Sequence, residues 1–229
     1  MIMSTWGLFT AAGAVVAVLW LLRHHNNLGI TQNEFWASIW TLVIGAIAGA
    51  KLLFLILGWE HYARGELRFW VDFDVGFVFF GGLLGAILAG LIFARIRGLS
   101  FMRGSDYYAV AIPMGHAIGR IGCFFNGCCS GHPPHPVQLY ESFGLALIAL
   151  MCRAVLKRVE AEKAQTGTAF RCYLILYGLL RFLLDPFRAD GRPERFLGFS
   201  HQQLIALLIV AAVLVWHART SSSKSALSR

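Results

Sequence analysis

One short run, residues 115–141, gathers an arginine, a glutamate, three histidines and three cysteines: GHAIGRIGCFFNGCCSGHPPHPVQLYE. Arg120 carries a planar guanidinium that can hold a phosphate through two parallel N–H donors. His116, one helical turn earlier, is a candidate general base, with His132 and His135 as further candidates. Asn126 can both donate and accept, which suits a glycerol hydroxyl. Gly119, Gly122 and Gly127 permit close helix packing, or a broken helix whose backbone faces a polar cavity.

The cysteines admit three chemistries. Cys128 or Cys129 is a candidate nucleophile, because a thiolate is the reactive form and a nearby Arg120 favours it. Cys123, Cys128, Cys129, His132 and His135 form a C-x4-C-C-x2-H-x2-H pattern with enough thiolate and imidazole for zinc. Alternatively, the cysteines fill gaps as small apolar residues, or Cys123 forms a disulfide with Cys128 or Cys129.

A second stretch, YGLLRFLLDPFR, repeats polar residues at helical spacing. Tyr177, Arg181, Asp185 and Arg188 follow one another at four, four and three residues, which predicts one helix face. That stripe would stack hydroxyl, guanidinium, carboxylate and guanidinium over roughly 16 Å, with Pro186 ending the helix. Arg181 and Arg188 would contact phosphate while Asp185 holds an arginine in place. A salt-bridge ladder between helices is the structural alternative. Two arginine-bearing segments converging on one cavity would make a phospholipid site.

The elements that must position these residues are hydrophobic. Of 229 residues 57% are hydrophobic and only 14% charged, and the mean hydropathy is +0.62. That composition predicts an all-α integral membrane protein. Apolar stretches of helical length recur at 6–22, 35–57, 75–94, 108–125, 137–156, 170–184 and 203–216, about seven spans. Residues 1–218 read as a single polytopic domain and 219–229 as a short disordered cytoplasmic tail.

With the N-terminus outside, twelve lysines and arginines face the cytoplasm and five face out, while Lys51, Arg120 and Arg181 fall within or at the edge of spans. The positive-inside rule therefore places the N-terminus outside and the C-terminus in the cytoplasm. The net charge of +8 is then mostly topological, and it suits an anionic lipid surface. The basic residues form no stripe, so no nucleic-acid partner is expected. Lys51 and Asp106 lie near span ends, where they either reach the headgroups or turn inward.

These residues resemble the prolipoprotein diacylglyceryl transferase family. GRIGCFFNGCCSG is similar to the family signature G-R-x-G-N-F-x-N-G-E-x-x-G. HPVQLYES resembles its H/Y-P-S-Q-L-Y-E segment, and LYGLLRFLLDPFRADGR its Y-G-x-x-R-F-x-x-E-x-F-R-x-P-D segment. LGFSHQQLIAL and FVFFGGLLGAILA are similar to two further family segments, all in family order over roughly residues 70 to 210.

The resemblance implies a seven-span enzyme that moves a diacylglyceryl group from phosphatidylglycerol to a lipoprotein cysteine thiol, releasing glycerol phosphate. It implies catalytic roles for Arg120 and Arg181. It implies substrate contacts for Asn126, Gly131, Gln138, Glu141, Tyr177, Asp185 and Arg188. Three positions depart from the family pattern: Phe80 replaces its histidine, Cys123 its first signature asparagine, and Cys128 its signature glutamate. The expected catalytic set is therefore Arg120, Arg181, Cys128, Cys129 and His116, with Cys123 on the substrate-binding side.

The expected activity is phospholipid-dependent transfer to a lipoprotein thiol, or to another thiol, amine or hydroxyl. The expected partners are an anionic phospholipid and lipoprotein precursors, in the bacterial cytoplasmic (inner) membrane. No cofactor is expected unless zinc occupies the cysteine–histidine cluster. The alternative is a non-catalytic lipid-binding membrane protein with a thiol-redox or metal switch at the cysteines.

Overall fold

Long runs of leucine, isoleucine, valine and alanine without charge satisfy their backbone by coiling into helices, whatever solvent surrounds them. In the computed structural model the described residues are 5–60, 64–65, 78–189, 195–196 and 199–227. The side chains of 79–80, 195–196, 201 and 217–227 also lie outside the description. Expectations resting on residues 75–77, Arg68, Arg192, Arg229 and the Phe80 side chain therefore fall outside the described residues.

Seven α-helices occupy the described residues: α1 Thr5–Arg23, α2 Gln32–Leu57, α3 Phe79–Ile96, α4 Phe101–Phe125, α5 Val137–Glu160, α6 Thr168–Leu184 and α7 His201–Leu227. A two-residue hairpin, β1 Arg195–Phe196 with β2 Phe199–Ser200, precedes α7. Helix α7 continues through most of the segment that composition alone reads as a tail. Helices α1, α2 and α5 are long and apolar enough to cross a membrane. Large apolar side chains such as Ile44, Leu88, Phe143, Leu150 and Leu208 point outward, whereas Asp106, Glu141, Gln138 and Arg171 are buried. Polar groups inside and apolar groups outside is the pattern of a protein whose solvent is lipid.

The helices cluster into two compact units, residues 24–101 and residues 1–23 with 102–229. In the first, α2 and α3 pack through glycine. A Cβ on Gly82 would stand 3.2 Å from the Ala46 carbonyl oxygen, and one on Gly81 would stand 2.6 Å from the Leu53 Cβ. Such close backbone approach is the packing mode of apolar helices that cannot rely on water to drive them together. Thr31 and Glu34 form a reciprocal capping box at the start of α2, and Arg97 donates to the Glu34 carboxylate. Lys51 is buried, with its ammonium 5.5 Å above the Phe54 ring.

In the second unit α1 lies against α4, where a Cβ on Gly115 would come within 2.7 Å of the Gly13 carbonyl oxygen. The Ser142 hydroxyl donates to the Ala117 carbonyl at 2.8 Å, and the Tyr107 hydroxyl to Glu160 at 3.0 Å, fixing α5 along α4. Asp106 is wholly buried and accepts from the backbone N–H groups of Gly167 and Phe170 at 2.6 and 3.0 Å. It therefore caps α6 from another helix, satisfying donors that a helix start leaves unpaired.

Candidate active site

Glutamate 141 stands in the first turn and a half of α5, and its side chain is only 1% exposed. A carboxylate this buried needs positive partners, because an unpaired buried charge is expensive. Two arginines supply them. Arg120 on α4 donates through Nη2 to Oε1 at 2.9 Å, and Arg188 through Nη1 to Oε2 at 3.3 Å. His116 Nε2 lies 3.9 Å from the same Oε1. One turn separates His116 from Arg120, so α4 presents both toward α5.

Helix α6 completes the cluster. The Tyr177 ring meets His116 edge to face with centroids 5.7 Å apart, and it stacks on Tyr173 at 5.8 Å. Arg181, one turn further, interacts electrostatically with Arg188, Glu141, Tyr177 and Asp185. The site thus holds three guanidiniums, the buried Glu141 carboxylate with Asp185 acting on Arg181 beside it, and one imidazole. Two of its donors, Arg120 Nε and Arg181 Nη1, are buried with no hydrogen-bond partner.

The expected single-face stripe from Tyr177 to Arg188 needs correction. Helix α6 ends at Leu184, and Asp185–Phe187 form a 3-10 turn ahead of Arg188, whose backbone is extended. Pro186 in that turn cannot continue the helix. Arg188 reaches the site by a different device. Its strand segment pairs with the loop after α4: His132 N–H donates to the Phe187 carbonyl at 2.8 Å, and Ala189 N–H to the Ser130 carbonyl at 3.0 Å. Gly131 allows this, because a Cβ there would press on the Phe187 carbonyl at 2.7 Å and on the Val137 side chain. The carboxylate that holds the arginines is Glu141. Asp185 makes no ion pair among the described residues.

The remaining expected site residues divide. Gln138 is buried and donates to the Cys128 carbonyl at 2.9 Å, so it positions the loop. Asn126 follows the end of α4, exposed, with its N–H on the Gly122 carbonyl at 3.0 Å. The Cys123, Cys128 and Cys129 sulfurs all lie within 4.8 Å of one another. All five cysteines are free thiols, so the disulfide alternative for Cys123 is not formed. The histidines do not join the thiol cluster: the His135 ring packs on Phe187 at 5.0 Å and Tyr140 at 6.2 Å instead. Sequence reasoning also missed that Cys152 on α5 and Cys172 on α6 are interacting neighbours. Twenty residues and a helix change separate them, so no spacing rule points to the contact.

The chain matches the family model described as "Prolipoprotein diacylglyceryl transferase" over residues 1–219. It is 31% identical to the phosphatidylglycerol–prolipoprotein diacylglyceryl transferase of Geobacter sulfurreducens, over 92% of this chain and 90% of that one. The enzymes of the same name from Clostridioides difficile and Finegoldia magna are 27% and 29% identical, over 93% and 91% of this chain and 88% of each relative. A match of this extent, over helices that also carry the buried arginine cluster, makes the chain a member of the prolipoprotein diacylglyceryl transferase family.

Proposed function

We propose that this protein transfers the diacylglyceryl group of phosphatidylglycerol to the cysteine thiol of a lipoprotein precursor. The observation that carries the reading is the electropositive cluster of Arg120, Arg181 and Arg188 beside Glu141, with two buried donors left unpaired. Three guanidiniums against Glu141, with Asp185 acting on Arg181 as well, leave a net positive charge in the site. An anionic phosphodiester would neutralise it and accept from the free N–H groups.

In the reaction the acceptor thiolate attacks the glyceryl carbon that bears the phosphate. A carbon–sulfur bond forms, the carbon–oxygen bond to phosphorus breaks, and glycerol phosphate departs with the bonding pair. Negative charge grows on that phosphate, and arginines already held in place stabilise it without reorganising. His116, oriented by Glu141 and Tyr177, takes the thiol proton. Glu141, occupied by two guanidiniums, serves as the positioning residue. His116 would thus supply the base in a chain that has Phe80 where the family pattern has histidine.

We further propose a multi-pass arrangement in the bacterial cytoplasmic membrane, N-terminus outside. The three spanning-length apolar helices and the twelve-to-five distribution of basic residues support it. Complementation of a strain depleted of its own transferase tests the activity, read by mass spectrometry of its lipoproteins. Restored growth with diacylglyceryl thioether on lipoprotein cysteines is expected. Membrane-inserted protein that yields no thioether would overturn the reading.

A further inference from the structure

Cys123 interacts electrostatically with Arg120 of the arginine site, and the arrangement of the three clustered thiols has a chemistry of its own. Adjacent residues in extended chain point to opposite sides, so a vicinal pair such as Cys128–Cys129 does not normally converge on one point. Here it does. Cys129 holds a left-handed backbone, φ 56°, directly after a loop turned by Gly127 at φ 68°. A non-glycine residue in that region is uncommon and strained. Gln138, buried on α5, pins the Cys128 carbonyl from the other side. Cys123, on the last turn of α4 and buried, supplies the third sulfur from a rigid element.

We propose that Cys123, Cys128 and Cys129 form a three-thiolate site for a soft, thiophilic d10 metal ion, zinc or cuprous copper. Thiolate–metal bonds of about 2.3 Å place three sulfurs roughly 3.8–4.0 Å apart in tetrahedral or trigonal geometry. The sulfurs already lie within 4.8 Å, so closure asks for less than about 1 Å of adjustment. Cys128 is half-buried and Cys129 exposed on the loop, free to make that adjustment. No carboxylate or imidazole belongs to the group, and an all-sulfur donor set selects soft ions over magnesium or calcium. Binding releases the thiol protons to solvent as the metal–sulfur bonds form.

The test uses the full-length protein, purified in detergent, reduced and desalted without air. Cobalt(II) is added as a spectroscopic stand-in for zinc, and cuprous ion is titrated against a competing chelator in parallel. One metal per chain is expected, with a thiolate-to-cobalt charge-transfer band and with three of the five thiols becoming protected from alkylation. Each of Cys123→Ser, Cys128→Ser and Cys129→Ser should weaken binding by more than about 10-fold. The double variant Cys152→Ser/Cys172→Ser should bind as the parent does. Retained helicity and a monodisperse elution profile in each variant separate lost ligation from lost folding. Binding by copper alone would narrow the ion to the cuprous case and still support the site. The proposal fails if neither metal protects the thiols, or if the triple serine variant binds as tightly as the parent.

Discussion

Replacing Glu141 by glutamine keeps the shape of the side chain and removes its charge. The carboxylate is 1% exposed, with Arg120 at 2.9 Å and Arg188 at 3.3 Å on its two oxygens. At an effective dielectric near 20, one such pair with charges about 4 Å apart is worth about 4 kcal/mol before desolvation. Removing one partner of a buried pair costs about 3–5 kcal/mol, because the charge left behind stays unpaired. Glutamine still offers one oxygen to one guanidinium, so the low end, about 3 kcal/mol, applies. If the arginines thereby lose their alignment to the departing phosphate, the barrier rises by that amount and transfer slows about 150-fold. The assay is thioether formation on a precursor peptide in vesicles of defined phosphatidylglycerol content. A double-mutant cycle with Arg188→Gln separates this from a general loss of fold. Coupled residues should deviate from additivity by more than about 0.5 kcal/mol. A Glu141→Gln protein with wild-type turnover, or strictly additive effects in the cycle, would refute the reasoning.

Three further outcomes follow from the same geometry. His116→Gln should slow transfer by about 100-fold or more and flatten the dependence of rate on pH, as loss of a general base does, in a pH-resolved transfer assay. Gly131→Ala should lower the thermal midpoint and weaken phosphatidylglycerol binding. Its new methyl meets the Phe187 carbonyl at 2.7 Å and pushes the Gly131 loop away from the segment that carries Arg188, at a cost of about 1–3 kcal/mol. Asp106→Ala should destabilise the protein by at least about 1–2 kcal/mol by uncapping α6. Heating monitored by circular dichroism would register that loss.

Much of this site could be read in the residues themselves. His116 and Arg120 lie on continuous α4, and Tyr177 and Arg181 on continuous α6, so spacing alone predicts which of them share a face, and the structure keeps that register. Arg188 was harder. Pro186 signals a break but not where the chain goes next, and its position comes from non-local pairing with Gly131. Glu141 was recognisable as a site residue from its motif. Its place at the centre, bridging two arginines from different segments, depends on how α4 and α5 pack. The cysteine triad shows the same limit. Spacing suggested five ligands including His132 and His135, whereas the left-handed Cys129 and the aromatic contacts of His135 leave three sulfurs together. Helical periodicity carries information along an element, and loops erase it.

In the proposed mechanism the arginines hold a phospholipid while its glyceryl carbon passes to sulfur. The most direct measurement follows purified protein acting on phosphatidylglycerol labelled in its diacylglyceryl part, with a cysteine-bearing precursor peptide. Parallel reactions use Arg120→Gln and Arg181→Gln. Labelled thioether and an equal amount of released glycerol phosphate from the parent, with both variants strongly impaired, is the predicted result. Parent protein that forms no labelled thioether, or variants that form it at the parent rate, would contradict the account.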